Sequence, residues 1–206
     1  MPRPEKTCPT ETLYQPGGDG LADRRSPDCE PIRCPRDEVD RHAGLMPRKL
    51  SAGLLLYRRG NQDGEIVLEV LLAHMGGPFW ARKDDGAWSI PKGGYVLGED
   101  PFRAAKREFE EELGSAPPLA VYRDLGSISQ PGGKLVTAWA AEADLDTAGV
   151  LSNTFELEWP PGSGQIRSFP EIDKASWFTM DVARQKLVKG QRPLIDRFAQ
   201  MFNKLA

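Results

Sequence analysis

Cysteine is scarce in this chain, and the little there is lies in one place. Cys8, Cys29 and Cys34 are the only three among 206 residues. An odd number confined to one polar segment does not make a disulfide framework. Long apolar runs are also missing. The stretch "SAGLLLY" at 51–57 is too short to span a bilayer and lies too deep in the chain for a signal peptide. A cytoplasmic protein with no membrane partner is the default expectation. A strong charge of either sign is absent as well: 27 Lys and Arg face 30 Asp and Glu, a net charge of −3. Nothing here suggests a polyanion-binding surface over the whole molecule. A substrate carrying phosphates would need local help, from a few basic side chains or from metal ions. No internal repeat is visible.

What is present divides into two parts. Residues 1–45 are dense in Pro, Gly and charge, with apolar residues scattered at neither helical nor strand period. Such a segment cannot bury enough surface to offset its ordering entropy, and a disordered extension is expected. A plainer account makes Met46 the true start. A zinc site from Cys29, Cys34 and His42, with Cys8, is the sharper alternative. The Cys29–Cys34 spacing is slightly wide for a zinc knuckle and the fourth ligand is distant.

From Lys49 onward the pattern is compact, and residues 46–206 read as one domain. "KLSAGLLLYRR" and "EIVLEVLLAH" are β-rich runs around the turn sequence "RGNQDG", which predicts a hairpin. "AWSI" at 87–90 is a short strand stopped by Pro91. Residues 119–129 and 134–143 form another strand pair, and 175–180 a late strand. Helical patterns cover 101–113, 181–188 and 191–205. Strands interleaved with a few helices predict an α/β fold with a mixed sheet.

The helix at 101–113 holds Glu108, Glu110, Glu111 and Glu112 within five positions. Like charges so close repel, and the helix gains nothing from them. Asp100 suits its cap, Pro101 its first turn and Gly114 its left-handed end. Phe102, Ala105, Phe109 and Leu113 fall on one stripe facing the core. Glu108, Glu111 and Glu112 share the adjacent face, with Arg107 beside them. A charge run is usually a solvated face. Three carboxylates next to an apolar stripe are costly, however, unless a cation holds them. Hard divalent ions with oxygen ligands would do so. The preceding loop, "PKGGYVLGED", adds three glycines that let backbone approach a ligand closely.

These residues resemble the Nudix box. Gly93, Glu99, Arg107-Glu108-Phe109, Glu111-Glu112 and Gly114 match the family pattern G-x5-E-x7-R-E-U-x-E-E-x-G-U, where U is bulky and apolar. The departure is Ser115 at the final apolar position, which mainly packs. "PEIDKASWFTM" also resembles the family's acidic residue and Trp before a late strand. The resemblance implies a Nudix-type α/β/α sandwich with a mixed β-sheet. It also implies hydrolysis of a nucleoside diphosphate linked to another group, with Mg²⁺, or Mn²⁺, as cofactor.

Carried over residue by residue, the resemblance makes Glu108, Glu111 and Glu112 the metal ligands. Glu108 or Glu111 could instead take the proton from water. Arg107 would orient a neighbouring glutamate by a charge-assisted hydrogen bond, and Glu99 would brace the loop. The backbone carbonyl of Lys92 or Gly93 is a further candidate metal ligand, and the Lys92 ammonium a phosphate contact.

Residues outside the box choose the substrate. Trp80 is a candidate stacking surface, against the commoner fate of Trp as a core residue. His74, Phe79, Lys83 and Trp88 lie in the same stretch, and His74 reads more readily as a satisfied polar residue than as a catalyst. The long connection at 152–173 offers Glu156, Glu158 and Glu171 as further bases or ligands, without a favourite.

"WSIPKG" resembles the loop of diadenosine polyphosphate hydrolases, so a small nucleoside or dinucleoside polyphosphate is the leading substrate. Nucleic acid is not expected, apart from an RNA 5′ end. The alternative is a catalytically silent Nudix-fold sensor or interaction module, which the intact Arg107, Glu108, Glu111 and Glu112 disfavour.

Overall fold

The computed structural model describes residues 49–204. The expectations for residues 1–45, zinc included, lie outside them. The sheet starts from a hairpin. Strand β1 (Leu50–Gln62) returns as β2 (Glu65–Met75) through Asp63 and Gly64. Both turn residues have positive φ, 53° and 89°, as a tight two-residue hairpin turn requires. The turn is therefore shorter than "RGNQDG", because the strands run on to Gln62 and from Glu65.

On its other edge β1 runs parallel to β6 (Leu135–Glu142), which pairs antiparallel with β5 (Arg123–Ser129). β2 pairs on its far edge with β9 (Ile172–Thr179). Away from the turn β1 and β2 separate. Two short strands fill the gap: β3 (Trp88–Ser89) pairs with β2 and β4 (Lys92–Gly94) with β1. Pro91 joins them, its carbonyl accepting from Leu54 N at 3.0 Å.

β1 is buried on both faces, hence its unbroken apolar run. Leu54 and Leu56 look to one side, and Leu55 and Tyr57 to the other. Helix α1 (Pro101–Leu113) covers the first side with Ala105, Phe109 and Leu113. Helices α2 (Met180–Lys186) and α3 (Arg192–Asn203) cover the second through Ala183, Leu194 and Phe198. The result is the expected α/β/α sandwich on a mixed sheet.

Three segments differ from the sequence reading. Residues 119–122 are not strand: Leu119 and Val121 are exposed, and β5 begins at Arg123. β4 is too short and glycine-rich to show a period. The connection at 152–173 contains a second, two-stranded sheet of β7 (Thr154–Glu158) and β8 (Ile166–Pro170). Phe155 and Leu157 alternate there with Glu156 and Glu158, a strand period that the sequence reading left inside a long connection. No helix among the described residues is long and apolar enough to cross a membrane.

Candidate active site

Helix α1 is fixed at both ends by its own sequence. Asp100 Oδ1 accepts from Arg103 N at 2.7 Å, Pro101 opens the first turn, and Gly114 ends the helix at φ 69°. Phe109 and Leu113 then seat it on β1. That seating presses Glu108 against β4. A Cβ added to Gly93 would overlap the Glu108 carboxylate, so any other residue there would push Glu108 out of this place. Ser51 Oγ holds Gly93 in place by donating to its carbonyl at 2.7 Å.

The three glutamates occupy different environments. Glu112 is buried, 8% exposed, and its Oε2 accepts from Lys92 N at 2.8 Å. Burial pushes its carboxyl up to about 7. The Lys92 ammonium and amide oppose that rise, and the charges of Glu108 and Glu171 add to it. Burial also raises the Glu108 carboxyl, against the opposing pull of Arg107. Glu111 is open to solvent, with 41% of its side chain exposed.

Arg107 joins half-buried Glu108 to open Glu111. Its Nη1 donates to Glu108 Oε1 at 2.7 Å and to both oxygens of Glu111 at 3.2–3.3 Å. Its Nη2 donates to Gly94 O at 3.1 Å and lies 3.5 Å from Glu99 Oε1. Glu99 Oε2 in turn accepts from Val96 N at 3.3 Å, bracing the loop. Arg107 thus supplies the positive charge that holds these carboxylates together. Among the described residues no three His, Cys, Asp or Glu side chains are gathered into a cation cage. The donors at hand still suit a hard divalent ion, since all are oxygens: Glu108, Glu111, Glu112 and the Gly93 carbonyl.

Two further residues belong to this region. Lys134 is half-buried just before β6. Burial, then Lys92 and Lys49, pull its ammonium below the usual lysine range, while Glu112 and Glu108 oppose this. Sequence reading missed Lys134. Its only signal is the parallel pairing that sets Leu135 N on Lys49 O at 2.9 Å. Of the three acidic candidates in the 152–173 connection, Glu171 is the one whose charge acts on Glu108 and Glu112. Glu158 instead accepts from Gly164 N at 2.6 Å within its own hairpin.

The other candidates lie elsewhere. Trp80 packs against the cluster beneath α2 and α3, with Lys83 Nζ 4.6 Å from its ring centroid. Trp88 is core, its Nε1 donating to Asp84 at 2.9 Å. His74 is buried between Asp173 Oδ1 at 2.7 Å and Lys83 O at 2.8 Å, a satisfied polar residue.

A family model described as NUDIX domain matches residues 47–198. The chain belongs to the Nudix family. An RNA pyrophosphohydrolase from Rhodospirillum rubrum is 30% identical over 155 residues, 72% of this chain and 88% of that protein. One from Azorhizobium caulinodans is 27% identical over 169 residues, 78% of this chain and 95% of that protein. A solved mutT/nudix family protein from Listeria innocua aligns with a TM-score of 0.52 at 18% identity, covering 78% of this chain and 98% of its own. That structure supports the fold alone. The assignment as a Nudix-type pyrophosphohydrolase stands on the family match and the sequence relatives. Nudix hydrolases generally use divalent metals.

Proposed function

We infer that this Nudix protein hydrolyses a pyrophosphate bond in the 5′-polyphosphate of a nucleotide, with Mg²⁺ as the working metal and Mn²⁺ able to replace it. The 5′-triphosphate end of RNA is the first substrate to test, because two sequence relatives carry that activity in their names. The observation that carries the reading is the seating of Glu108 on the Cβ-less Gly93, with Arg107 tying it to Glu111.

Glu108, Glu111, Glu112 and the Gly93 carbonyl would hold the metal, which neutralises the polyphosphate and lowers the pKa of bound water. Arg107 orients Glu108 and Glu111. One of these two takes the proton as water attacks phosphorus and the anhydride P–O bond breaks, its electrons leaving with the departing phosphate. Lys92 and Lys134 line the same region with positive charge for the phosphate oxygens. Glu171 adds a further negative charge that acts on Glu108 and Glu112. Free nucleoside or dinucleoside polyphosphates are the second reading, served by the same residues.

Phosphate and pyrophosphate release from a panel separates these readings. It holds triphosphorylated RNA, nucleoside triphosphates, diadenosine polyphosphates, ADP-ribose and nucleotide sugars, each with Mg²⁺. Glu111→Gln should fold normally and lose most turnover. Near wild-type turnover by that variant would remove the site assignment. Turnover confined to free nucleotides would move the substrate from RNA to the second reading.

A further inference from the structure

The β7–β8 hairpin stands beside the carboxylates. Asn153 N donates to Glu111 O at 3.2 Å, and Asn153 O accepts from Glu171 N at 2.8 Å. Ile172 N donates to Ser152 Oγ at 2.9 Å. The base of the hairpin is thus fastened to the last turn of α1 and carries Glu171. From there the strands pair over five positions, about 17 Å at the usual rise per residue. Trp159 follows at the tip.

The loop after β2 runs along this hairpin. Gly76 N donates to Glu171 O at 2.8 Å. Gly77, at φ 83°, lies close enough to Phe155 that a Cβ would press on the ring. Phe79 then meets Trp159 edge-on, with ring centroids 5.3 Å apart and planes at 82°. Phe79 remains 56% exposed, so its ring contributes little to either hydrophobic cluster. Arg82, an exposed cation, follows three residues later in the chain. Arg167 pairs across the hairpin with Leu157, on the strand face that carries Phe155 and Phe169. An exposed ring (Phe79) against a partly exposed one (Trp159), with cations nearby, is the chemistry that stacks nucleobases.

We propose that Phe79 and Trp159 form the stacking platform for the base of the 5′-terminal nucleotide of a triphosphorylated RNA whose phosphates lie at α1. The inference rests on the proposed function and adds the residues that select a nucleotide over a bare polyphosphate. The hairpin supplies the reach: its base holds Glu171 beside the last turn of α1, and its five paired positions span about 17 Å, on the order of an extended nucleoside triphosphate. Rings recognise a base by its face, so base identity matters little and purines bind better than pyrimidines.

The test compares wild type, Trp159→Ala, Trp159→Phe and Phe79→Leu on a 5′-triphosphorylated dinucleotide. Inorganic tripolyphosphate is the competitive inhibitor, and circular dichroism confirms folding. Trp159→Ala should raise KM roughly five- to a hundred-fold, the span of one lost base stack. Its kcat and the inhibition constant of tripolyphosphate should stay unchanged. Trp159→Phe should restore KM, and Phe79→Leu should shift it less in the same direction. An unchanged KM in Trp159→Ala, or a parallel weakening of KM and tripolyphosphate inhibition, overturns the platform alone. A wild-type protein that turns over no triphosphorylated nucleotide overturns the proposed function and this inference together.

Discussion

Gln191 and Glu112 reach the same short stretch of chain from opposite sides of the sheet. Gln191, just before α3, accepts from Ile90 N at 3.0 Å and donates to Ser89 Oγ at 3.0 Å. Glu112, on α1, accepts from Lys92 N at 2.8 Å. Both are buried and both fasten the segment that fills the gap between β1 and β2. The neutral amide uses its donor and its acceptor there. The carboxyl makes one such bond and holds its proton up to about pH 7. An amide would do the clamping equally well, so packing alone does not account for the acidic group.

The strongest way to break this comparison is to make the two clamps alike. Glu112→Gln keeps an acceptor for Lys92 N and removes the charge. Its kcat/KM should fall roughly 10²- to 10³-fold, the usual loss when one preorganised electrostatic group is removed. Its stability without metal at pH 8 should equal or exceed that of the wild type. A variant with wild-type kcat/KM would make Glu112 a clamp and nothing more.

The next effect is in pH. A carboxyl whose folded pKa lies above its ordinary 4.5 keeps its proton longer than the unfolded chain does. Its contribution to stability is complete below pH 4.5 and is lost as pH climbs towards 7. Denaturant titrations of metal-free protein should therefore show wild type losing up to about 3 kcal/mol relative to Glu112→Gln across that window. Parallel curves for the two proteins would contradict the burial argument. On the neutral side, Gln191→Leu strands Ile90 N and should cost about 1–3 kcal/mol in unfolding free energy. The surviving folded protein should keep its kcat. Lys134→Gln should have the smallest effect, a few-fold rise in KM with unchanged melting temperature, as befits a partly solvated charge contact.

Much of this contrast was legible in the chain. The cap at Asp100, the stop at Gly114 and the stripe through Phe109 follow from local chemistry, and the spacing of the acidic residues does the rest. Even the inward turn of Glu112 has a trace, since it sits on the side of the trio nearest Phe109 and Leu113. Glu171 could be singled out from Glu156 and Glu158 only once the β7–β8 pairing was known. Lys134 and Phe79 reach their places through contacts with residues far away in sequence. No periodicity within a window records such neighbours.

The parallel pairing of β1 with β6 has a kinetic consequence. Leu50 meets Leu135, 85 positions along the chain, and the lysines before each strand come together only when that loop has closed. A contact of such long range forms slowly, because closure entropy is spent before packing repays it. α1 and β4 lie inside the same loop, so a nascent or partly refolded chain can form its glutamate helix before the completed sheet seats Glu108 against Gly93. Recovery of turnover during refolding should then lag behind recovery of helical signal, which makes catalysis a reporter of the last topological step.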